Sequence, residues 1–261
     1  MPIIAELTGL WRRSLLSWPD GRRDTTTRVH WMQGPGLYAD LRQPAERPDF
    51  RQVQCVRQLA PEHIEWLACQ EGFAGELTHD GRHFEWRRDI DFQPSSARPD
   101  AGSLRLEGDF MIEEGRDVAY VEHWQRVSRP TEPVGALGLR DRESNRPAIL
   151  VRLGSLFMFA RARRASVSPG RTLLECVRAE RRTEVAQELV DCEISFGRIE
   201  SGTWRIEHSS LPFRERVSLN PCLTGKDPGL SVDDVGAGGE SLVRSRIIER
   251  AEGSVPRIIG P

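Results

Sequence analysis

Four tryptophans sit in runs that alternate like β-strands, each beside a residue that could do chemistry. Trp11 shares a face with Arg13 and Leu15, and Trp31 with Val29 and Gln33. Trp86 lies with Phe84, Arg88, Ile90 and Phe92, and Trp124 with Val118, Tyr120, Glu122 and Arg126. Large aromatic side chains prefer burial, so the tryptophan face is expected to point inward. That carries Arg13, Gln33, Arg88 and Glu122 inward as well. A buried charge needs a partner or costs several kcal/mol, of order ~5. Glu122 with Arg88 or Arg13 is the expected internal pair. A closed strand array lined this way is expected to hold water or an amphiphilic molecule.

The candidate ligand-binding residues follow. Trp31, Trp86, Tyr120 and Trp124 supply apolar wall, and Gln33, Arg88 and Glu122 fix a polar end. Strand 37–42 admits two readings. Leu37, Ala39 and Leu41 form one face, and Tyr38, Asp40 and Arg42 form the other. Either the polar trio faces solvent, or both faces are covered and the trio continues the cavity wall. Glu122 is the candidate general acid or base, because an aromatic shell raises a carboxyl pKa; its plainer role is a carboxylate neutralised by Arg88.

Other chemistries lack their residues. The stretch "GAGGES" at 236–241 has no P-loop lysine and no preceding strand. No HExxH or Cys/His cluster occurs, and His79 with His83 across the Asp80-Gly81 turn makes too few ligands for zinc. His208-Ser209-Ser210 is a local run whose neighbours point apart, so it does not assemble a triad. No metal and no cofactor is expected.

These residues must be held by elements, and period-two runs dominate the first half. Strands are expected at 7–16, at 25–33 and 37–42 around Gly34-Pro35-Gly36, and on both sides of Asp80-Gly81. "SLRLEGDFMIEE" reads as one strand, with Leu104, Leu106, Phe110 and Ile112 on a common face. "LAPEHIEWLACQEG" reads as the one helix of this half, with Pro61 in its first turn. "SRPTEPVGALGLRDRESNRP" reads as an aperiodic linker. The second half resumes at "AILVRLGSLFMFARARR"; the start of "RTLLECVRAERRTEVAQELVDCEISFG" is open between strand and helix. After Asn220, Gly, Ser, Asp and Pro suggest a poorly packed tail with a short helix at 240–250.

Bulk composition narrows the setting. The 261 residues carry a net charge of −2, so no field draws in nucleic acid or an acidic membrane. Five cysteines, odd in number and without a CxxC pair, suggest a reducing compartment. No apolar stretch approaches a membrane span and the first residues do not read as a signal peptide, so a cytoplasmic protein is expected.

Gly9-Leu10-Trp11 at the head of a first strand, followed by antiparallel strands, resembles the calycin superfamily, which includes lipocalins, fatty-acid-binding proteins and nitrobindins. The resemblance implies that Trp11 closes the bottom of a barrel and that Arg126, from a late strand, packs over it. "GLWRRS…DTTTRVHWMQ…LYADLRQP" and "EWRRDIDFQP…YVEHWQR" are similar to a little-characterised two-barrel calycin family, known from a fungal protein named for interacting with a protein kinase. The likeness covers residues 9–127 clearly, 148–218 loosely, and nothing after Asn220. It implies two non-identical barrels and no established reaction. Nitrobindin-like barrels hold haem through a histidine. The candidates here are His30, His123 and His208, and the first two fall on the face opposite the tryptophans.

The expected fold is therefore all-β: two non-identical antiparallel calycin-like β-barrels, with one short helix in the first. The first barrel spans 1–130 and a smaller one 134–219, with a flexible tail over 220–261. The expected function is non-enzymatic binding of a small amphiphilic or aromatic molecule in the first barrel. One alternative is a lipocalin-like isomerase or hydratase using Glu122. Another is a protein-interaction module with a packed polar core.

Overall fold

A computed structural model describes residues 2–167, 169–225 and 229–260. The fold is mostly strand, in two sheets. After a short helix α1 (Ile4–Leu7) come β1 (Gly9–Ser17), the two-residue β2 (Arg23–Asp24), β3 (Arg28–Gln33) and β4 (Leu37–Gln43). Helix α2 (Pro61–Ala68) precedes β5 (Glu71–His79), β6 (Phe84–Asp91), β7 (Ala101–Glu107), β8 (Phe110–Gly115) and β9 (Val121–Ser128). Neighbours pair antiparallel in chain order, and β1 also pairs β9, so eight strands close a barrel with β2 as an appendage.

The second sheet contains β10 (Val134–Asp141), β11 (Pro147–Leu153) and β12 (Leu156–Arg161). Helices α3 (Leu173–Ala179) and α4 (Thr183–Leu189) follow, then β13 (Glu193–Glu200), β14 (Thr203–Ser209), β15 (Cys222–Thr224), β16 (Gly229–Val235), β17 (Ser241–Glu252) and α5 (Val255–Ile259). Its order is β14-β13-β12-β11-β10-β17-β16-β15, a curled sheet whose end strands do not pair. Residues 217–219 bridge part of the gap. Val217 O and Leu219 N bond the backbone of Ile206 and Trp204 on one side, and Leu219 O accepts from Asp233 N on the other.

Three apolar clusters organise the chain. One fills the first barrel and contains Trp11, Trp31, Trp86 and Trp124. One lies inside the second sheet around Phe157, Phe159 and Trp204. The largest joins the two halves, and it settles the reading of strand 37–42. Leu37, Ala39 and Leu41, each at most 2% exposed, point out of the first barrel against Ile149, Val151 and Met158 of the second. Burying a leucine of this kind is worth roughly 2–3 kcal/mol. Both faces of β4 are therefore covered, and Tyr38 and Asp40 face the barrel interior at 0% and 2% exposure.

Several expectations are corrected. The segment "SLRLEGDFMIEE" is two strands, because Gly108 at φ 64 opens a two-residue turn and Glu107 pairs Phe110. The turn reverses the faces: Leu104 and Met111 are buried in the barrel, Glu113 joins them, and Phe110 packs on His123 outside. A bulge in β6 between Arg88 and Ile90 moves Ile90 and Phe92 onto the cluster between the halves and turns Asp91 inward with Arg88. Gly75 permits it, since a Cβ there would sit 1.9 Å from Arg87 O. A second bulge between Arg13 and Leu15 puts Leu16 opposite the inward Glu122 and Leu15 opposite His123.

The proposed linker contains β10. Its period, Leu137-Leu139-Asp141, is diluted by Gly135 on the same face and Gly138 on the other. The expected tail is β15 to β17. The glycines at 236–239 form the turn between β16 and β17, and 240–250 is strand rather than helix, because Arg246 and Ile248 alternate with surface residues. Only Lys226, Asp227 and Pro228 of that stretch, with Pro261, lie outside the described residues. The chain has more helix than the one segment expected: α2 stands as read, with Pro61 in its first turn and His63 Nδ1 accepting from Ala60 N, and α3 and α4 resolve the ambiguous stretch.

Candidate functional site

The floor of the first barrel is aromatic. The Trp31 ring lies 6.1 Å from Trp11, 5.9 Å from Trp86 and 5.4 Å from Trp124, the last two edge to face. The Trp11 indole donates to Leu7 O at 2.7 Å. Arg126 covers the outer side of Trp11 with its guanidinium carbon 4.3 Å from the ring centre, the contact that the resemblance implies.

Above this floor the barrel is polar. Glu122 Oε1 accepts from Arg13 at 2.6 Å and from Arg42 at 3.3 Å. Arg42 also holds both oxygens of Asp40, and Arg13 reaches Asp24 at 2.7 Å. Glu113, opposite Glu122 in the β8–β9 ladder, takes the Tyr120 hydroxyl at 2.7 Å and the Trp124 indole at 3.1 Å. Burial raises the pKa of Asp40, Glu113 and Glu122. Arg42 opposes the effect at Asp40, and Arg42 with Arg13 opposes it at Glu122. Glu113 has Glu122 and Asp100 as further raising charges and stands well above the carboxylate range. Tyr38, buried with its hydroxyl 3.4 Å from Arg87 O, is likewise raised by burial.

Arg88 is not the partner of Glu122. Its guanidinium lies 3.6 Å over the Phe73 ring and bridges Asp91 at 2.9 Å and Asp100 at 2.5 Å. This trio marks an opening. Strands β6 and β7 pair only at Phe84–Gly102 and Glu85–Ala101, then diverge under the 92–100 loop. The gap is a cleft of about 530 Å³ whose floor is Trp86, Arg88 and Asp91, with Ser96, Asp100 and Val118 on its rim.

The ten residues singled out by sequence thus separate into three groups. Trp86 and Arg88 line the cleft. Trp31, Tyr38, Asp40, Arg42, Tyr120, Glu122 and Trp124 form the packed aromatic and ionic layers behind it. Gln33 stands apart: its amide donates to Gly34 O at 3.0 Å and Gly36 O at 3.3 Å, so it braces the β3–β4 turn. Trp31 Nε1, Gln33 Oε1 and Glu122 Oε2 are buried on the inner wall without a hydrogen-bond partner among the described residues. Sequence reading missed Asp91, Asp100 and Glu113. The Asp89 bulge hid the first and the Gly108 turn hid the last; Asp100 sits in a loop where periodicity carries no signal.

The histidines lie elsewhere. His30 points out of the first barrel and stacks 4.8 Å from Phe196 and 5.2 Å from His208 of the second half. His123 packs on Phe110. Among the described residues, no group of three or more His, Cys, Asp and Glu is placed to hold a metal ion, and no helix is long and apolar enough to cross a membrane.

No protein-family model matches the chain, and no curated protein matches it. Its fold is similar to that of the uncharacterized protein YLR301w from Saccharomyces cerevisiae. That crystal structure superposes with a TM-score of 0.51 over 93% of this chain and 98% of that chain, at 10% sequence identity. Such a likeness speaks to the fold alone.

Proposed function

We propose that the protein is a non-enzymatic binding protein whose first barrel takes a small amphiphilic or aromatic molecule at its open seam. The cleft between β6 and the 92–100 loop carries this reading: it has the volume of a small-ligand site and is floored by inner-wall residues. Trp86 offers an apolar face, and the Arg88–Asp91–Asp100 trio offers a polar anchor with both signs of charge. The rigid layers behind it, from Trp31 to Glu122, hold that floor in place. Stacking of Arg126 on Trp11 supports a calycin-like barrel. Five unpaired cysteines support a reducing, cytoplasmic setting.

Binding is preferred over catalysis by Glu122 because that carboxyl is 2% exposed and its Oε1 already serves two guanidiniums. The test is fluorescence titration with 1-anilinonaphthalene-8-sulfonate, an aromatic amphiphile, on the wild type and Ser96→Trp. Ser96 is an exposed rim residue, so the variant fills the cleft without touching the core. One saturable site in the wild type, lost in Ser96→Trp, supports the reading. Equal binding by both proteins, or none by either, removes it.

A further inference from the structure

The segment between β12 and α3, residues 162–172, lies outside both sheets. It contains Arg163-Arg164-Ala165-Ser166-Val167, a hydroxyl with arginines two and three residues before it and an apolar residue directly after. Arg164 and Ser166 are exposed, whereas Ala165 and Val167 lean on the core between the halves. The polar members of the run therefore face outward.

Few bonds fix the segment in place. Ala162 N donates to Pro147 O and Cys176 N to Thr172 O, but among the described residues no backbone-to-backbone hydrogen bond involves 163–171. The main polar tie is one side chain. Arg163 is half-buried, its guanidinium carbon lies 5.4 Å from the Phe92 ring centre, and it donates to the carbonyl oxygens of Asp91 and Phe92. A segment without backbone bonds opens at low cost and can enter another protein's groove.

The chemistry of that groove follows from the run. Adjacent guanidiniums are read by carboxylates, and Val167 fits an apolar subsite. We propose that Ser166 is a phosphorylation site for a protein kinase whose substrate groove is acidic where Arg163 and Arg164 lie. Ser166 Oγ forms a bond to the terminal phosphorus of a nucleoside triphosphate. The bond from that phosphorus to its bridging oxygen breaks, a kinase carboxylate takes the serine proton, and nucleoside diphosphate leaves. The product places roughly two negative charges three residues from the arginine that ties the loop to Phe92.

Arginine is frequent throughout the chain, so the run alone does not single out Ser166. Thr25 is the only other hydroxyl residue with arginines two and three residues before it, Arg22 and Arg23. There the chain is fastened. Asp24 takes the amides of Thr26 and Thr27 and the Arg13 guanidinium, and Arg22 is held by Asp20 and stacks on Trp18. The residue after Thr25 is polar, and an acid directly precedes it. Ser166 combines the two arginines with exposure, an apolar follower and a backbone free to move.

The test incubates the full native chain with ATP and the catalytic subunit of cyclic-AMP-dependent protein kinase, a kinase with such a groove, beside a synthetic peptide of residues 161–171. The expected result is one phosphoryl group per chain, located on Ser166 by fragment mass spectrometry and absent in Ser166→Ala. In Arg164→Ala, kcat/KM should fall by about tenfold or more, the loss of one charge-assisted contact. Both side chains are exposed, so neither variant disturbs the core. Labelling of the peptide but not of the folded chain overturns the proposal, as does no label on either. Label placed on Thr25 instead, label retained in Ser166→Ala, or an unchanged rate in Arg164→Ala overturns it equally.

Discussion

Glu252, near the end of β17, accepts the backbone amides of Gly36 and Leu37 through one carboxylate oxygen, at 2.8 and 2.9 Å. The turn that opens the first barrel is thus tied to a strand more than two hundred residues later. Arg250 supports the tie by pairing with both Glu252 and Glu76. Replacing Glu252 by Ala strands two amides next to the packed seam between the halves. A loss of about 2 kcal/mol is expected from charge-assisted hydrogen bonds of this kind. Hydrogen exchange checks it locally: the Gly36 and Leu37 amides should exchange faster in the variant while β6 is unchanged.

Arg126 serves the first barrel as a lid on Trp11. Its Nη atoms bond Thr8 O and Glu6 O, each at 2.7 Å, and its face lies on the indole. Arg126→Ala should cost about 2–3 kcal/mol in urea denaturation. Arg126→Lys should recover only part, since an ammonium cannot reach both carbonyls and stack at once.

The His30–Phe196–His208 stack makes the seam acid-sensitive. Burial, with the His208 and nearby arginine charges, lowers the His30 pKa from 6.5 to about 3. A histidine lowered in the folded state binds protons more readily when unfolded, so stability falls as pH drops below 6.5 and stops falling near 3. Between pH 7 and pH 5 the contribution is about 2 kcal/mol. The raised carboxyls act in the opposite direction, so the effect is read as a difference. Wild type minus His30→Phe should lose stability over that interval in chemical denaturation, and a flat difference contradicts the assignment.

Glu113 should hold its proton to higher pH than an ordinary carboxyl does. Its folded pKa is raised, first by burial and then by Glu122 and Asp100. The stability it contributes is therefore complete below the ordinary carboxyl pKa and is lost as pH rises through the folded value. An infrared pH titration should show a protonated carboxyl band that outlasts those of ordinary carboxyls as pH rises, and that Glu113→Gln removes. Persistence of the whole band in the variant places the proton elsewhere.

What the sequence revealed follows from how strongly period two is written. Trp31, Trp86 and Trp124 could be sent inward because each is the largest apolar group in a clean alternation, and Arg126 could be paired with Trp11 from the resemblance. The Arg88–Asp91 corner was illegible because one extra residue, Asp89, shifts the phase, and nothing local announces a bulge. Leu37, Ala39 and Leu41 pointed inward by hydrophobicity alone; the second barrel, which covers them, is remote in sequence. In β10, glycines diluted the pattern. In β17, Arg246 fell in a stretch read as a tail with a short helix, since its charged neighbours Asp141, Arg161, Glu193 and Asp234 come from four other strands.

A small molecule held at the seam beside Trp86 should travel with the protein. Native mass spectrometry of the protein purified from its own host, beside Ser96→Trp, tests it most directly. A retained mass on the order of a few hundred daltons, the size a cleft of this class takes, is expected in the wild type and absent from the variant. A bare chain mass for the wild type, or a bound mass that Ser96→Trp keeps, contradicts it.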